Sequence, residues 1–434
     1  MTTDPIGIAL LIGSFAVLLT LKFPVAFCLA LSSCLSAVYL NIPLSAITTR
    51  MVASVDSFSL LAIPFFILAG EIMSQGGISD RIVKFASVIV GRVRGGLAMV
   101  NCLDSMFFGM ISGSAVADVS STGPIIIPMM KKQGYPVPFA VALTVSSACM
   151  SLLIPPSHNM IIYATSAGNV SIGKLFMAGL IPGYLLGILL MVYIFILARI
   201  LKLPYGGKYT LRESLKIAAD SFFGLFTMVI IIGGVFAGIV TATESSVLAC
   251  MWALIVALCI YKQIKPRDLL PIFKNALKTI AIVMTLIASA GAFGFIMTWL
   301  RIPQLITNSL LTITHNRILL LLLVNLFLLL LGAIMDMAPM ILICTPVLLP
   351  VVTSPEIGLD PVHFGVILIY NLGIGLLTPP VGTCLFVGSA IGRVKVEETI
   401  KALVPFYLVM IVGLLLVTFI PAISMTIPNL MFGE

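Results

Sequence analysis

The sequence predicts an all-α polytopic membrane protein made of two inverted-topology repeats, each with five spans and one re-entrant hairpin. Three observations carry that prediction: composition, a duplicated pattern of broken apolar segments, and the placement of basic residues. The chain has 434 residues, 60% hydrophobic and 9% charged, with a mean hydropathy of +1.20. Soluble domains carry about 25% charged residues. The duplication is direct. Ile125-Ile126-Ile127-Pro128 is followed by Pro155-Pro156 and then by Ile181-Pro182-Gly183-Tyr184-Leu185; Val347-Leu348-Leu349-Pro350 is followed by Pro379-Pro380 and then by Val404-Pro405-Phe406-Tyr407-Leu408. Both Pro-Pro pairs interrupt long apolar segments. Backbone broken inside a membrane must be buried in protein or line a cavity.

Segments long enough to span, about 17–25 residues each, follow in order as 5–21, 24–41, 58–74, 137–168, 175–198, 219–241, 245–261, 280–299, 362–392 and 398–424. The first has no basic residue before it, so it reads as a span and not as a cleaved signal. Segments 137–168 and 362–392 are the interrupted spans. Two further stretches, 98–130 and 317–352, are polar or Gly/Pro-containing in the middle and read as re-entrant hairpins with polar tips. Segments 43–56 and 264–278 have mixed polarity at matching places and read as interfacial helices bracing a scaffold. The first repeat is expected over 1–205 (scaffold 1–56, core 57–205) and the second over 206–434 (scaffold 218–278, core 279–434).

Charge fixes the expected orientation. With the N-terminus outside and the hairpins not crossing, twenty of the 24 Lys and Arg fall inside, Lys208 among them; Arg50, Lys174, Arg301 and Arg317 remain outside. The opposite orientation reverses this split, against the positive-inside rule. Five crossings per half then place the second repeat upside down, with both termini outside. Inverted repeats with binding near the midplane are a secondary-transporter architecture, and paired interrupted segments point to the binding site.

The candidate chemistry sits at the tips and breaks. The first tip is SGSAVAD (112–118) and the second GAIMDMAP (332–339). Hydroxyls and carbonyls freed by proline are hard oxygen ligands suited to Na+. The expected cation ligands are Ser112, Ser114, Asp118 and Pro155 in the first half. In the second they are Gly332, Asp336, Asn371, Gly373, Thr378 and Pro379. The helix restarting after each break favours an anion at its N-terminus. Substrate contacts are therefore expected from Ser112, Gly113, Ser157, His158, Asn159, Ala338, Pro339, Gly382 and Thr383. The competing readings are small-residue helix packing at the first tip, N-capping by Asp118, Asp336, Ser157 or Asn159, and a merely hydrogen-bonded His158. Asp104 and Asp118 are functional candidates because unpaired acids in lipid are costly. Lys401, near the start of 398–424, is the one basic residue inside an expected span; no Arg falls inside one, so a bound carboxylate has no obvious Arg partner.

Other classes are disfavoured. The eight Cys lack a CxxC pair and mostly sit in apolar spans, and His158, His315 and His363 are too scattered for a metal motif. No HExxH, Walker A or GxSxG motif is present, so no catalytic residues are expected. The net charge of +8 reads as loop charge that sets topology, not as a nucleic-acid surface.

Several runs resemble one family. They are FSLLAIPFFILAGEIM (58–73), the SGSAVAD tip, IPP (154–156), KLFMAGLIPG (174–183), TATES (241–245), MDMAPMILICTPVLLP (335–350) and GLLTPPVG (375–382). Over nearly the whole chain they are similar to the large membrane subunit of the tripartite ATP-independent periplasmic (TRAP) transporters. The resemblance implies a bacterial inner-membrane permease, not an enzyme. It implies a small four-span membrane subunit as a separate polypeptide, a periplasmic binding protein that delivers substrate, and coupling to two or more Na+. It also implies elevator movement of a transport domain against a scaffold, and an organic carboxylate as substrate, either a C4-dicarboxylate or an acidic sugar such as sialate. Ala338 and Ser245 depart from the family pattern, where Thr and Glu-Ala are frequent. The PPSHN form of the first break resembles the sialate branch. The alternatives are a self-sufficient Na+/dicarboxylate symporter of the related inverted-repeat superfamily, a channel, or a membrane-embedded enzyme.

Overall fold

The computed structural model spans the chain, and residues 4–168, 170–207, 209–313 and 316–433 are described. Lys208 and His315 lie outside the described residues. The first half runs α1 (Pro5–Thr20), α2 (Val25–Tyr39), α3 (Leu44–Val55), α4 (Ala62–Gln75), α5 (Ile78–Val90), α6 (Gly96–Ser112), α7 (Ala115–Lys132), α8 (Val137–Ala148), α9 (Met150–Leu153), α10 (His158–Ala167) and α11 (Ile172–Ile200). The second half runs α12 (Leu211–Met228), α13 (Gly234–Phe236), α14 (Ala242–Ile255), α15 (Leu269–Trp299), α16 (Ile302–Ile313), α17 (Arg317–Ile334), α18 (Met337–Val352), α19 (Pro361–Gly375), α20 (Thr383–Gly392), α21 (Val396–Phe419) and α22 (Ala422–Phe432). A π-turn, Val229–Gly233, joins α12 to α13, and Val256–Ile260 extends α14 in the same way.

Local chemistry sets many of these boundaries. Asp4 caps α1 by accepting from the Ile6 and Gly7 amides at 3.1 and 3.0 Å, with Pro5 in the first turn, where its missing donor costs nothing. Thr210–Glu213 and Thr241–Glu244 form reciprocal capping boxes that start α12 and α14. Asp360 and Pro361 start α19 in the same manner as Asp4 and Pro5 start α1. Helix-interior prolines recur at Pro128 and Pro350 in α7 and α18, and at Pro182 and Pro405 in α11 and α21.

Apolar side chains face outward as well as inward, as a bilayer demands. On α17, Leu321, Val324, Asn325, Leu328 and Gly332 are buried, while Leu322, Leu326 and Leu330 are exposed. Among the described residues, seven helical stretches are long and apolar enough to cross a membrane, and the pair Val137–Leu153 plus His158–Ala167, bent by 46°, makes an eighth if it is one span.

Three sequence expectations are revised. Segment 264–278 is not a separate helix. Most of it is the beginning of α15, which is continuous to Trp299 because no Gly or Pro interrupts residues 272–290. The expected boundary at 278/279 thus falls inside one helix. The expected spans 5–21 and 24–41 fold as α1 and α2, of 16 and 15 residues, about 24 Å or less at 1.5 Å per residue. Residues 317–352, the expected second hairpin, fold as α17 and α18 on either side of the tip, with α17 long and apolar enough by length and composition to cross as well. Finally, α5, α16 and α22 are helices within stretches assigned to loops or left outside the expected spans.

Packing interleaves the halves. α4 lies against α14 and α15, and α15 also against α2 and α3. α10, which follows the first break, packs on α18, which follows the second tip. Reciprocally, α20, which follows the second break, packs on α7, which follows the first tip. Each post-break helix is therefore housed by the other half.

Candidate functional site

The first tip is a two-residue turn. Gly113 ends α6 in the left-handed region at φ +58°, and the Ser114 hydroxyl caps α7 by accepting from the Ala117 amide at 3.3 Å. Glycine is required twice over at 113. A Cβ there would lie 2.1 Å from the Pro156 carbonyl oxygen and 2.8 Å from Ser157 Cα, far inside van der Waals contact. Tip and break of the first half are therefore in backbone contact. One turn earlier, Gly109 lets α6 approach Ser151, whose Cα would lie 2.8 Å from an added Cβ.

Asp118 is fully buried one turn into α7. Ser151 donates to its Oδ2 at 2.8 Å and Thr122 to its Oδ1 at 3.1 Å. A hydroxyl-amide chain lies beside it: Ser105 donates to Ser147 at 3.0 Å, Ser147 to Asn101 Oδ1 at 3.3 Å, and Asn101 Nδ2 to Thr144 at 2.7 Å. Ser157 Oγ, His158 Nδ1 and both carboxylate oxygens of Asp104 are buried without a protein hydrogen-bond partner among the described residues. Such groups are costly unless something polar reaches them.

The second half repeats the design with different chemistry. Its tip is Met335 and Asp336, both extended, with Asp336 at the start of α18. Gly332 meets Gly375 so closely that a Cβ on Gly375 would lie 2.7 Å from the Gly332 carbonyl carbon. The Val381 amide donates to the Ala333 carbonyl at 3.1 Å, which ties break to tip. Thr383 Oγ1 stands 3.4 Å from Asp336 Oδ1. Thr378 Oγ1 donates to the Ile374 carbonyl at 2.9 Å, and Tyr407 donates to the Leu377 carbonyl at 2.6 Å. Gly382, at φ +22°, precedes α20. Ala338 is half-buried and Pro339 buried in the first turn of α18.

The expected ligands thus fall into two groups. Ser112, Gly113, Ser114, Pro155, Ser157, His158 and Asn159 assemble at the first tip and break. Gly332, Asp336, Ala338, Pro339, Thr378, Pro379, Gly382 and Thr383 assemble at the second. Asn371 and Gly373 lie deeper. Asn371 Nδ2 donates to Asn325 Oδ1 at 2.9 Å, and the Cys149 thiol donates to the Gly373 carbonyl at 3.2 Å, linking the halves. Asn325, which also donates to Thr418 at 3.2 Å, was missed by sequence reading. A polar residue inside the run LLLLLVNLFLLLLG was the available signal. Among the described residues no three His, Cys, Asp or Glu gather as a transition-metal site; the donors are hydroxyls, amide oxygens and freed carbonyls.

The profile of the family described as "Tripartite ATP-independent periplasmic transporter, DctM component" matches residues 12–423. The chain belongs to this family. It is a TRAP large permease, a polytopic protein of the bacterial inner membrane and not an enzyme. It is 39% identical over 384 residues to the C4-dicarboxylate TRAP transporter large permease protein DctM of Pseudomonas aeruginosa, covering 88% of this chain and 89% of that one. It is 37% identical over 387 residues to the sialic acid TRAP transporter large permease protein SiaM of Vibrio cholerae, again covering 88% and 89%. In fold it is similar to the YdaH transporter of Alcanivorax borkumensis, with a TM-score of 0.66 at 15% identity over 89% of this chain and 90% of that one. That likeness supports the permease fold alone.

Proposed function

We propose that this TRAP permease imports an organic carboxylate together with Na+, taking the substrate from a periplasmic binding protein and working beside a small four-span subunit. The observation that carries the reading is the paired contact of tip with break, Gly113 on Pro156 in the first half and Val381 on Ala333 in the second, beside the Gly332–Gly375 crossing. Each contact brings hydroxyls and proline-freed carbonyls to a helix start, the combination a cation and a carboxylate both need. The substrates in the names of the Pseudomonas and Vibrio relatives, a C4-dicarboxylate and a sialic acid, share a carboxylate.

In this reading the two halves are inverted repeats with both termini periplasmic. Na+ binds first at the tips and breaks. Ser112, Ser114, Asp118 and the Pro155 carbonyl serve one site; Asn371, Thr378 and the Gly332, Gly373 and Pro379 carbonyls serve the other, with Asp336 close by. Cation binding neutralises local negative charge and leaves the Ser157 hydroxyl, His158, Asn159 and Thr383 to hold the substrate beside the starts of α10 and α20. Moving a charged carboxylate alone through lipid is prohibitive, so the site travels with its cargo as an elevator against a scaffold built around α1, α2, α12 and α14.

The test is uptake of radiolabelled succinate and sialate into proteoliposomes containing this chain and the small subunit, with and without a Na+ gradient and the binding protein. Uptake that needs both additions supports the proposal. Equal uptake without the binding protein replaces it with a self-sufficient symporter.

A further inference from the structure

Two cavities of about 670 and 680 Å³ share Ala53 and Ser54 of α3 and Thr165 of α10, and so adjoin as one crevice. One wall is α3 with the later turns of α15, through Gly291, Gly294, Phe295 and Thr298; the other is Thr165 and Ser166 of α10 with Leu342 and Pro346 of α18. Each cavity is of the size that holds a small molecule. Among the described lining residues of both cavities, Arg50 is the only charged one.

Several features hold that charge in place and leave it free to act. The Arg50 guanidinium carbon stands 4.9 Å from the centre of the Phe295 ring, which fixes its position without neutralising it. Arg50 forms no ion pair with a described residue. Gly291 brings α15 against α3 so closely that an added Cβ would lie 1.7 Å from Ser54 Oγ. Gly294, one turn on, has nothing within 4 Å of the position a Cβ would take, so the wall beside Arg50 stays open. Thr165, Ser166 and Thr298 surround this space with hydroxyls, and no carboxylate is among its lining residues.

The crevice connects to the tips and breaks through its own walls. α10 begins at the first break, and Ser166 lies eight residues after His158, about 12 Å along the helix. α18 begins at the second tip, and Pro346 lies nine residues after Met337. In the orientation proposed above Arg50 is one of the four basic residues on the outer face, which puts the crevice on the side from which substrate arrives.

We propose that this crevice is an external reception site for an organic anion, in which Arg50 binds the carboxylate before it passes along α10 and α18 to the breaks. This deepens the carboxylate-import reading and rests on it for the identity of the cargo. It also supplies the Arg partner that the expected spans lack.

The test separates the crevice from the transport reading. Ser166→Cys is introduced into a full-length chain with the exposed Cys259 and the half-buried Cys34 replaced by serine, in liposomes of neutral phosphatidylcholine. Labelling rates are measured with a sulfonate-bearing and a trimethylammonium-bearing methanethiosulfonate, each normalised to its rate with a small free thiol. The anionic reagent is expected to react about fivefold faster, Arg50→Gln to bring the ratio to about one, and Arg50→Lys to keep most of it. An unchanged ratio in Arg50→Gln, or no labelling by either reagent, overturns the site. In the uptake assay, Arg50→Gln is expected to raise the half-saturating concentration of succinate or sialate about tenfold, as loss of one charge-assisted contact should. The control Arg317→Gln, on α17, leaves it unchanged. A lost labelling preference with an unaltered half-saturating concentration overturns the reception role. Failure of the parent chain to import either carboxylate counts against the function proposed above and leaves the labelling result to decide the crevice.

Discussion

The two tip–break contacts perform the same geometric task with opposite exposure. At the first, Ser112, Gly113, Pro155, Pro156, Ser157 and Asn159 are all buried, and its break occupies only residues 154–157. At the second, Asp336, Pro379, Pro380 and Val381 are exposed, and the break runs from 376 to 382. The acids differ accordingly. Asp118 is locked by two hydroxyl donors, whereas Asp336 has the Met337 amide of its own helix start and one long hydroxyl contact, Thr383 at 3.4 Å. The lesson is that pseudo-symmetric sequence does not give equal sites. The first contact is preorganised and rigid; the second is the one whose loop has room to move.

The sharpest break in this comparison is Gly113→Ala. It adds an unfavourable positive φ and drives a methyl into the Pro156 carbonyl, so uptake should fall by a factor of about 100 or more, with a lowered melting temperature of the purified protein. Gly375→Ala strikes backbone as well, but the longer second break can yield, and a loss of about tenfold is expected in the same assays. Equal losses would mean that the two contacts are equally rigid.

Asp118→Ala leaves the Ser151 hydroxyl only the longer contact to the Ser105 carbonyl at 3.4 Å and removes one acceptor of Thr122, which should cost about 1–3 kcal/mol in thermal or denaturant unfolding. Asp336→Ala, at an exposed position, should cost less than about 0.5 kcal/mol. A larger effect at Asp336 would reverse the assignment of the rigid half. Ser114→Ala and Thr378→Ala are expected to weaken Na+ activation of uptake. Unchanged Na+ activation in both would remove the cation assignment. The smallest effect is expected from Thr383→Ala, which loses one long contact and should change uptake less than about threefold.

Much of the site was legible because it depends on glycine and proline. Gly113, Gly332, Pro155-Pro156 and Pro379-Pro380 announce a turn or a break wherever they interrupt an apolar run, and the structure joins each tip to a break. What was not legible has two physical causes. α5 places Ile78, Ile82, Val83 and Ala86 on its buried face with Asp80 and Lys84 between them. Its average polarity hides it from a search for spans, although its helical spacing was there to read. The role of Arg50 depends on α3 packing on α15, a contact between residues more than 200 positions apart. Nothing local distinguishes Arg50 from Arg301 or Arg317, which carry the same topological charge.

The exchange of post-break helices has a consequence for how the chain is made. When α10 leaves the translocon, the partner that will cover it, α18, has not been synthesised, and α7 must likewise wait for α20. For most of translation the first half exposes a face whose complement does not exist. Truncation after α11 should therefore leave a protease-sensitive fragment, and the two halves produced as separate polypeptides should become resistant only when both are present. Completing the second half is then the quality-control step for the first, so a ribosome that stalls within α15 releases a product the cell can recognise and destroy.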